Sequence, residues 1–392
     1  MSLHQSPFLP QRSWHNRAGR LVMDRLPRRI DWALLAAVAA LSLLGALLVW
    51  ASTAGDTHPS EALGYLQRHL LHLCIGAVLC LVVACLDHRT SHAYAPVVFV
   101  AAVIGLVLVL TPLGAVINGS RSWIVIGAFQ AQPGEIAKIA LVLGVAALLG
   151  EHRDGEHVPT TWDVLFSLVA LAVPLGLILA QPDLGTAMVL GSLYLGMLAL
   201  SGASVGWTIG LISCGVLSAL AVWWSGLLKD YQIARFTAFV DPMADPRGAG
   251  YNANQAIISV GSGGFNGTGL FEGEQTSGRF VPEQHTDFIF TVAGEELGFI
   301  GGGTIIALIG VIVWRILRVA AECDQPYGRL VCAGVAAWLT FQSFINIGMT
   351  VGIMPITGLP LPLVSYGGTA TIAHFIAIGL VLSIHGRARG FD

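Results

Sequence analysis

Charge is scarce in this chain. Of its 392 residues 11% are charged and 55% are hydrophobic, whereas a soluble domain usually carries about a quarter charged residues. That imbalance excludes an ordinary water-soluble fold, which could not cover so much apolar surface. Lysine is scarcer still: only Lys138 and Lys229 stand among the 20 Lys and Arg residues, and Lys138 falls inside an apolar stretch. The six cysteines form no C-x-x-C pair, so neither a disulfide framework nor a zinc site is expected. No H-E-x-x-H occurs among the 12 histidines, which removes the zinc-protease reading. With a formal net charge of −3, the chain has no basic excess for nucleic acid.

What the sequence has instead is a series of apolar runs of about 20 residues, the length that crosses a bilayer. Spans are expected at 32–52, 70–86, 93–112, 134–150, 164–180, 184–201, 205–225, 286–314, 330–352 and 369–384. The fold class is therefore an all-α polytopic membrane protein, a bundle of about ten transmembrane helices. The six arginines before Trp32 precede a run too long for a signal h-region and without an A-x-A site, so it reads as a retained anchor. Thirteen basic residues fall on the side of the N-terminus. Six lie opposite: Arg68, Arg121, Lys229, Arg235, Arg247 and Arg279. Positive charge stays cytoplasmic, which puts both termini inside. The expected organisation is a cytoplasmic basic tail over 1–31, a membrane domain over 32–384 and a cytoplasmic tail over 385–392.

The outer segments hold the unusual residues: 113–133, the turn at 181–183, a large extracytoplasmic loop over 226–285 between helices 7 and 8, and the proline-rich 353–368. Long loops are uncommon unless functional. Residues 230–240 place Ile233, Phe236 and Val240 on one helical face, as in a helix lying on a membrane surface. The run GSGGFNGTG (261–269) lacks the lysine and the preceding strand of a phosphate-binding loop, and reads as a hinge or tight loop.

Ionisable groups inside a membrane are costly and tend to mark sites. Here they are Glu135 and Lys138, one turn apart, then Asp287, Glu295 and Glu296, with Asp183 at a span's outer end. The last group reads as carboxylates running inward, Glu295 lying about 12 Å deeper than Asp287 on a continuous helix. Asp287 precedes Phe288, Ile289 and Phe290; an apolar wall of that kind raises a carboxylate's proton affinity and suits a general base. Capping a helix N-terminus explains its position equally well. Arg121 in INGSRSW has the small polar neighbours of a phosphate clamp, while Arg279 is open to either a solvated or a binding role.

Five ordered blocks, QPGEIAK (132–138), QPDLGTA (181–187), GYNANQAIISVGSGG (250–264), VPEQHTDFIFTVAGEELGFIG (281–301) and INIGMTVGIMPITGLPLPLVSYGG (345–368), resemble the signatures of the SEDS family. That family comprises RodA, FtsW and SpoVE, and the resemblance spans roughly residues 30–388. It implies a glycosyltransferase that joins lipid II into β-1,4 glycan outside the cytoplasmic membrane and releases undecaprenyl pyrophosphate. It implies that Asp287 is the essential carboxylate and that Glu135 and Lys138 are the family's charged pair, with Gly134 where a serine is usual. Arg121, Arg279, Asp183, Gln255 and Ser365 complete the expected substrate-binding set. Met354 to Pro360 lack the lysine typical of FtsW-like sequences, so the chain is more similar to RodA, the elongation branch. The implied partners are lipid II, membrane lipids and a class B penicillin-binding protein. A divalent cation, Mg or Mn, is a candidate cofactor without a readable ligand spacing. Two other readings use a similar bundle: a lipid II flippase, which would spread polar groups towards both faces, and a non-catalytic scaffold for a transpeptidase.

Overall fold

The structure, a computed structural model, describes residues 30–54, 59–117, 120–127, 129–150, 158–226, 230–241 and 248–388. The arginine-rich residues 1–29, with Arg153, Lys229, Arg247 and Arg389, lie outside the described residues. In chain order come α1 (Trp32–Ala54), α2 (Pro59–Cys85), α3 (His88–Leu110), and strands β1 (Gly114–Ile117), β2 (Ser120–Ile126) and β3 (Phe129–Ala131). Then follow α4 (Pro133–Gly150), α5 (Thr161–Ala180), α6 (Leu184–Leu200), α7 (Val205–Ser225), α8 (Asp230–Val240), α9 (Ala249–Ser262) and α10 (Glu274–Ser277). The chain ends with α11 (Ile289–Glu296), α12 (Gly298–Glu322), α13 (Pro326–Thr350) and α14 (Gly368–Ala388).

Nine of these helices are long and apolar enough to cross a membrane. With α6, apolar and 17 residues long, they make the ten expected. Helices suit that setting because every backbone group is satisfied within the segment. The spans differ in what surrounds them: α4, α13 and α14 form the centre of the bundle, and α2 and α14, α3 and α4, and α6 and α13 pack against each other.

Alternating spans give the bundle a terminal end and a loop end. At the terminal end Asp31 caps α1 through the Leu34 N–H (3.0 Å) and accepts two hydrogen bonds from Arg315 of α12, at 2.9 and 2.6 Å. Arg387 likewise donates to the Leu86 carbonyl at 2.6 Å. These ties fasten the first, second and last spans to their neighbours away from the unusual loops.

Two features depart from the sequence reading. Segment 113–133 folds as an antiparallel sheet of order β1-β2-β3. The expected span 286–314 is broken: α11 ends at Glu296, Leu297 is its C-cap, and Gly298 leaves the right-handed region at φ +64 as α12 begins. A Cβ on Gly298 would lie 2.3 Å from the Gly267 nitrogen, so glycine is required for both its φ and its contact. Asp287 precedes α11 whereas Glu295 and Glu296 lie on it, so the three carboxylates do not descend one continuous helix. At 25 residues α12 is itself about 37 Å long and needs no help from α11 to cross the bilayer.

Candidate active site

Asp287 lies in the turns before α11, and the N-cap position of that helix is Phe288, which makes no side-chain cap bond. The N-cap position thus falls one residue after Asp287. The Asp287 side chain is half-buried, and its Oδ2 sits 3.4 Å from where a Gly358 Cβ would be. Its carbonyl accepts a 2.7 Å bond from Asn346 Nδ2. Two residues earlier, the His285 carbonyl accepts from the Tyr366 N–H at 3.0 Å. The rings of Tyr65, His285 and Tyr366 stand mutually edge to face or tilted, with centroids 5.0, 5.5 and 5.6 Å apart. Asp287 is thus held at the meeting point of α2, α13 and the α13–α14 connection.

The approach to Asp287 is strained. Arg279 and Glu283 both have φ +53, a left-handed conformation that costs a non-glycine residue about 1–2 kcal/mol. Glu283 anchors the turn: its carbonyl accepts from the Thr286 N–H (3.1 Å), the Thr286 hydroxyl (3.1 Å) and the Phe288 N–H (3.3 Å). Backbone strain retained beside a half-buried carboxylate points to a functional site.

Glu135 and Lys138 form the expected pair, with Nζ–Oε1 2.6 Å. Both are essentially inaccessible, at 1% and 0% exposure, and Lys138 also donates to Gln342 Oε1 at 2.9 Å beneath the Trp338 ring. Burial and two acceptors hold its ammonium group inside the bundle.

The remaining candidates divide. Arg121 is exposed on β2, opposite Val116, and its neighbour Ser120 donates to the Gln181 carbonyl at 2.8 Å. Arg279 is exposed on the approach to Asp287. Gln255 is half-buried on α9, beside Ala256, which packs with Val281, Phe288 and Met349. Asp183 is the N-cap of α6, accepting from the Thr186 N–H (3.0 Å) and hydroxyl (2.9 Å), and from Gln132 Nε2 at 3.3 Å. That last bond joins the two Gln-Pro helix openings that look alike in sequence. Ser365 is buried, and its hydroxyl accepts from the Leu361 N–H at 2.8 Å, which braces a turn. For Asp183 and Ser365 the local bonds define positioning roles.

Glu295 is no part of a pathway. Its carboxylate accepts from Ser259 Oγ (3.1 Å), the Gln275 N–H (2.7 Å), and the Thr276 N–H (2.9 Å) and hydroxyl (2.7 Å). It clamps α9 and α10 onto α11. The glycine run 261–269 packs on the same break: a Gly263 Cβ would meet the Gly294 oxygen at 2.0 Å, whereas Gly264, at φ +57, faces open space. It is a tight loop, with Gly263 needed for close approach and Gly264 for its backbone angle. Gln342 and Asn346 were missed in the sequence, although two amides at i and i+4 in an apolar run are a readable signal for an inward polar face.

No group of three or more His, Cys, Asp or Glu residues is gathered as metal ligands among the described residues. No step below passes through a metal ion.

Among the described residues, a bundle of ten apolar helices, with a half-buried carboxylate beside a strained turn, defines a multi-pass membrane protein. The chain belongs to the FtsW/RodA/SpoVE family, whose model, described as cell cycle protein, matches residues 31–390. It is 38% identical over 357 residues to the peptidoglycan glycosyltransferase MrdB of Escherichia coli K12, covering 91% of this chain and 93% of that one. A solved structure concerned with the coordination of polymerisation and crosslinking by a peptidoglycan synthase complex matches with a TM-score of 0.77 and 33% identity, over 93% of this chain and 99% of that one. The crystal structure of the Thermus thermophilus rod shape determining protein RodA matches with a TM-score of 0.68 and 30% identity, over 92% and 98%.

Proposed function

We propose that this chain is a peptidoglycan glycosyltransferase of the RodA type, polymerising lipid II on the outer face of the bacterial cytoplasmic membrane for cell elongation. The observation that carries the reading is Asp287, a half-buried carboxylate one residue before the N-cap of α11, held after a strained turn beside α13 and Gly358. Its relatives, MrdB among them, support the chemistry.

In this mechanism Asp287 takes the proton of the acceptor GlcNAc 4-hydroxyl as that oxygen attacks C1 of the donor MurNAc. The C1–O bond to pyrophosphate breaks on the opposite face, so the α-linked donor gives a β-1,4 bond. Undecaprenyl pyrophosphate leaves with the bonding electrons, and the exposed Arg121 and Arg279 stabilise the charge it gains. Asp287 then returns its proton to solvent. Both tails, 1–31 and 385–392, are assigned to the cytoplasm from the charge asymmetry, and 32–384 forms the catalytic membrane domain. The partner is a class B penicillin-binding protein, in keeping with the synthase complex that the fold matches.

Purified chain given labelled lipid II, with and without that partner, tests the reading. Polymer is expected with wild type, and Asp287→Asn lowers its rate by about 10²–10⁴-fold, the usual contribution of a general base, at unchanged expression. Glycan synthesis undiminished in Asp287→Asn would remove the carboxylate from the mechanism.

A further inference from the structure

The buried pair Glu135–Lys138 and the carboxylate Asp287 belong to different helices and different sequence blocks, yet one row of side chains joins them. Gln342 and Asn346, one turn apart on α13, are both at 0% exposure. Gln342 Oε1 accepts from Lys138 Nζ (2.9 Å) and Trp338 Nε1 (2.7 Å), and its Nε2 donates to the Pro360 carbonyl at 2.8 Å. Asn346 Nδ2 donates to the Leu359 carbonyl and to the Asp287 carbonyl, both at 2.7 Å. The two amides therefore hold consecutive carbonyls of one segment, and Gly358 in that segment faces Asp287 Oδ2.

We propose that Asn346 is the positioning residue of Asp287, and that Lys138 and Glu135 reach the reaction through Gln342 and segment 357–361, without touching the pyrophosphate. The inference rests on the reading of Asp287 as the base. An Asn Nδ2 has two protons, and both are used here, so the side chain can neither rotate nor release one carbonyl without losing the other. Asn346 Oδ1 has no hydrogen-bond partner in the structure, a burial cost of about 1–3 kcal/mol. An apolar side chain there would spare that cost but leave the Asp287 and Leu359 carbonyls without this donor, so the grip on both is what the amide contributes. Lys138 in turn has its charge matched by Glu135 at 2.6 Å and offers no free cation to a leaving group.

The test uses the full chain with its penicillin-binding partner in lipid nanodiscs and labelled lipid II, comparing kcat with KM. Asn346→Asp is nearly isosteric and lacks both donors. It is expected to lower kcat about 100-fold, the cost of a misplacement near 1 Å, with KM within about threefold. Asn346→Ser, which keeps one donor on a shorter arm, is expected to fall between it and wild type. Glu135→Gln combined with Lys138→Met, which strands no charge, should also lower kcat and leave KM alone. A raised KM at preserved kcat in that double variant would put Lys138 on the pyrophosphate and overturn the inference. So would wild-type kcat in both Asn346 variants while Asp287→Asn stays inactive, an outcome that leaves the base reading intact. Activity retained in Asp287→Asn would instead remove the base reading itself. Should Asn346→Asp fail to fold, Asn346→Ser decides by the same comparison.

Discussion

α13 and α7 are apolar helices of similar length, 25 and 21 residues, and α13 is the less hydrophobic, with mean hydropathy 1.6 against 1.9. Yet 72% of the α13 window is buried inside the protein and none of the α7 window is. Hydropathy takes both helices into the membrane but does not say what each one faces. α13 spends its polar groups inward, where Trp338, Gln342 and Asn346 meet Lys138, the 357–361 segment and Asp287. α7 presents Ile209, Leu217 and Trp224 outward all round and touches mainly α6. Asp287 is fastened to the first kind of helix through Asn346.

The largest test of that contrast lies beside α13. Lys138→Ala strands the buried Glu135 charge and is expected to cost about 3–5 kcal/mol, read as a lowered thermal midpoint in detergent, with activity lost too. Glu135→Leu with Lys138→Met should restore the midpoint but not polymerisation. A single variant as stable as wild type would mean that the interior of the bundle is wetter than its packing indicates.

A smaller effect is expected where the loop meets the break. Gly263→Val drives a side chain into the Gly294 carbonyl and should destabilise by about 1–3 kcal/mol, as overpacking does, lowering basal and partner-stimulated polymerisation alike. Gly264→Ala has room and loses only a favourable φ, about 1 kcal/mol. Equal damage from both would show that backbone angle, not contact, governs the run. At the small end, Ile209→Ala or Leu217→Ala in α7 should shift stability by less than about 0.5 kcal/mol. A core-sized loss there would reveal a packing partner for α7 and dissolve the contrast.

The ten spans were legible because a bilayer demands long apolar runs, and the Glu135–Lys138 pairing followed from one-turn spacing alone. The sheet was not legible, since strands of 4, 7 and 3 residues in a loop leave no lasting alternation. Nor was the break at Leu297: Glu295, Glu296 and Gly298 flank it in the sequence, but only the backbone angle at Gly298 reveals the restart. Asp287 could be selected by type and position, but that the helix starts one residue later, with Phe288 at the cap, was visible only in the structure. Lys138 stood out as unusual, but its acceptor Gln342 did not, since sequence shows a charge in a membrane helix and not which way it faces.

The Glu295 clamp has a consequence in time as well as in geometry. Three segments lean on one carboxylate and its own carbonyl: Ser259 of α9, Gln275 and Thr276 of α10, and Thr268, whose N–H reaches the Glu295 carbonyl at 2.9 Å. None of them can open without exposing a buried charge, so they open together as one cooperative unit. In deuterated buffer the amides of Gln275 and Thr276 should therefore exchange at the slow rate of α11, and all of these segments should speed up together in Glu295→Gln. Separate rates for α10 and α11 in the wild-type chain would show the clamp to be static geometry without cooperative weight.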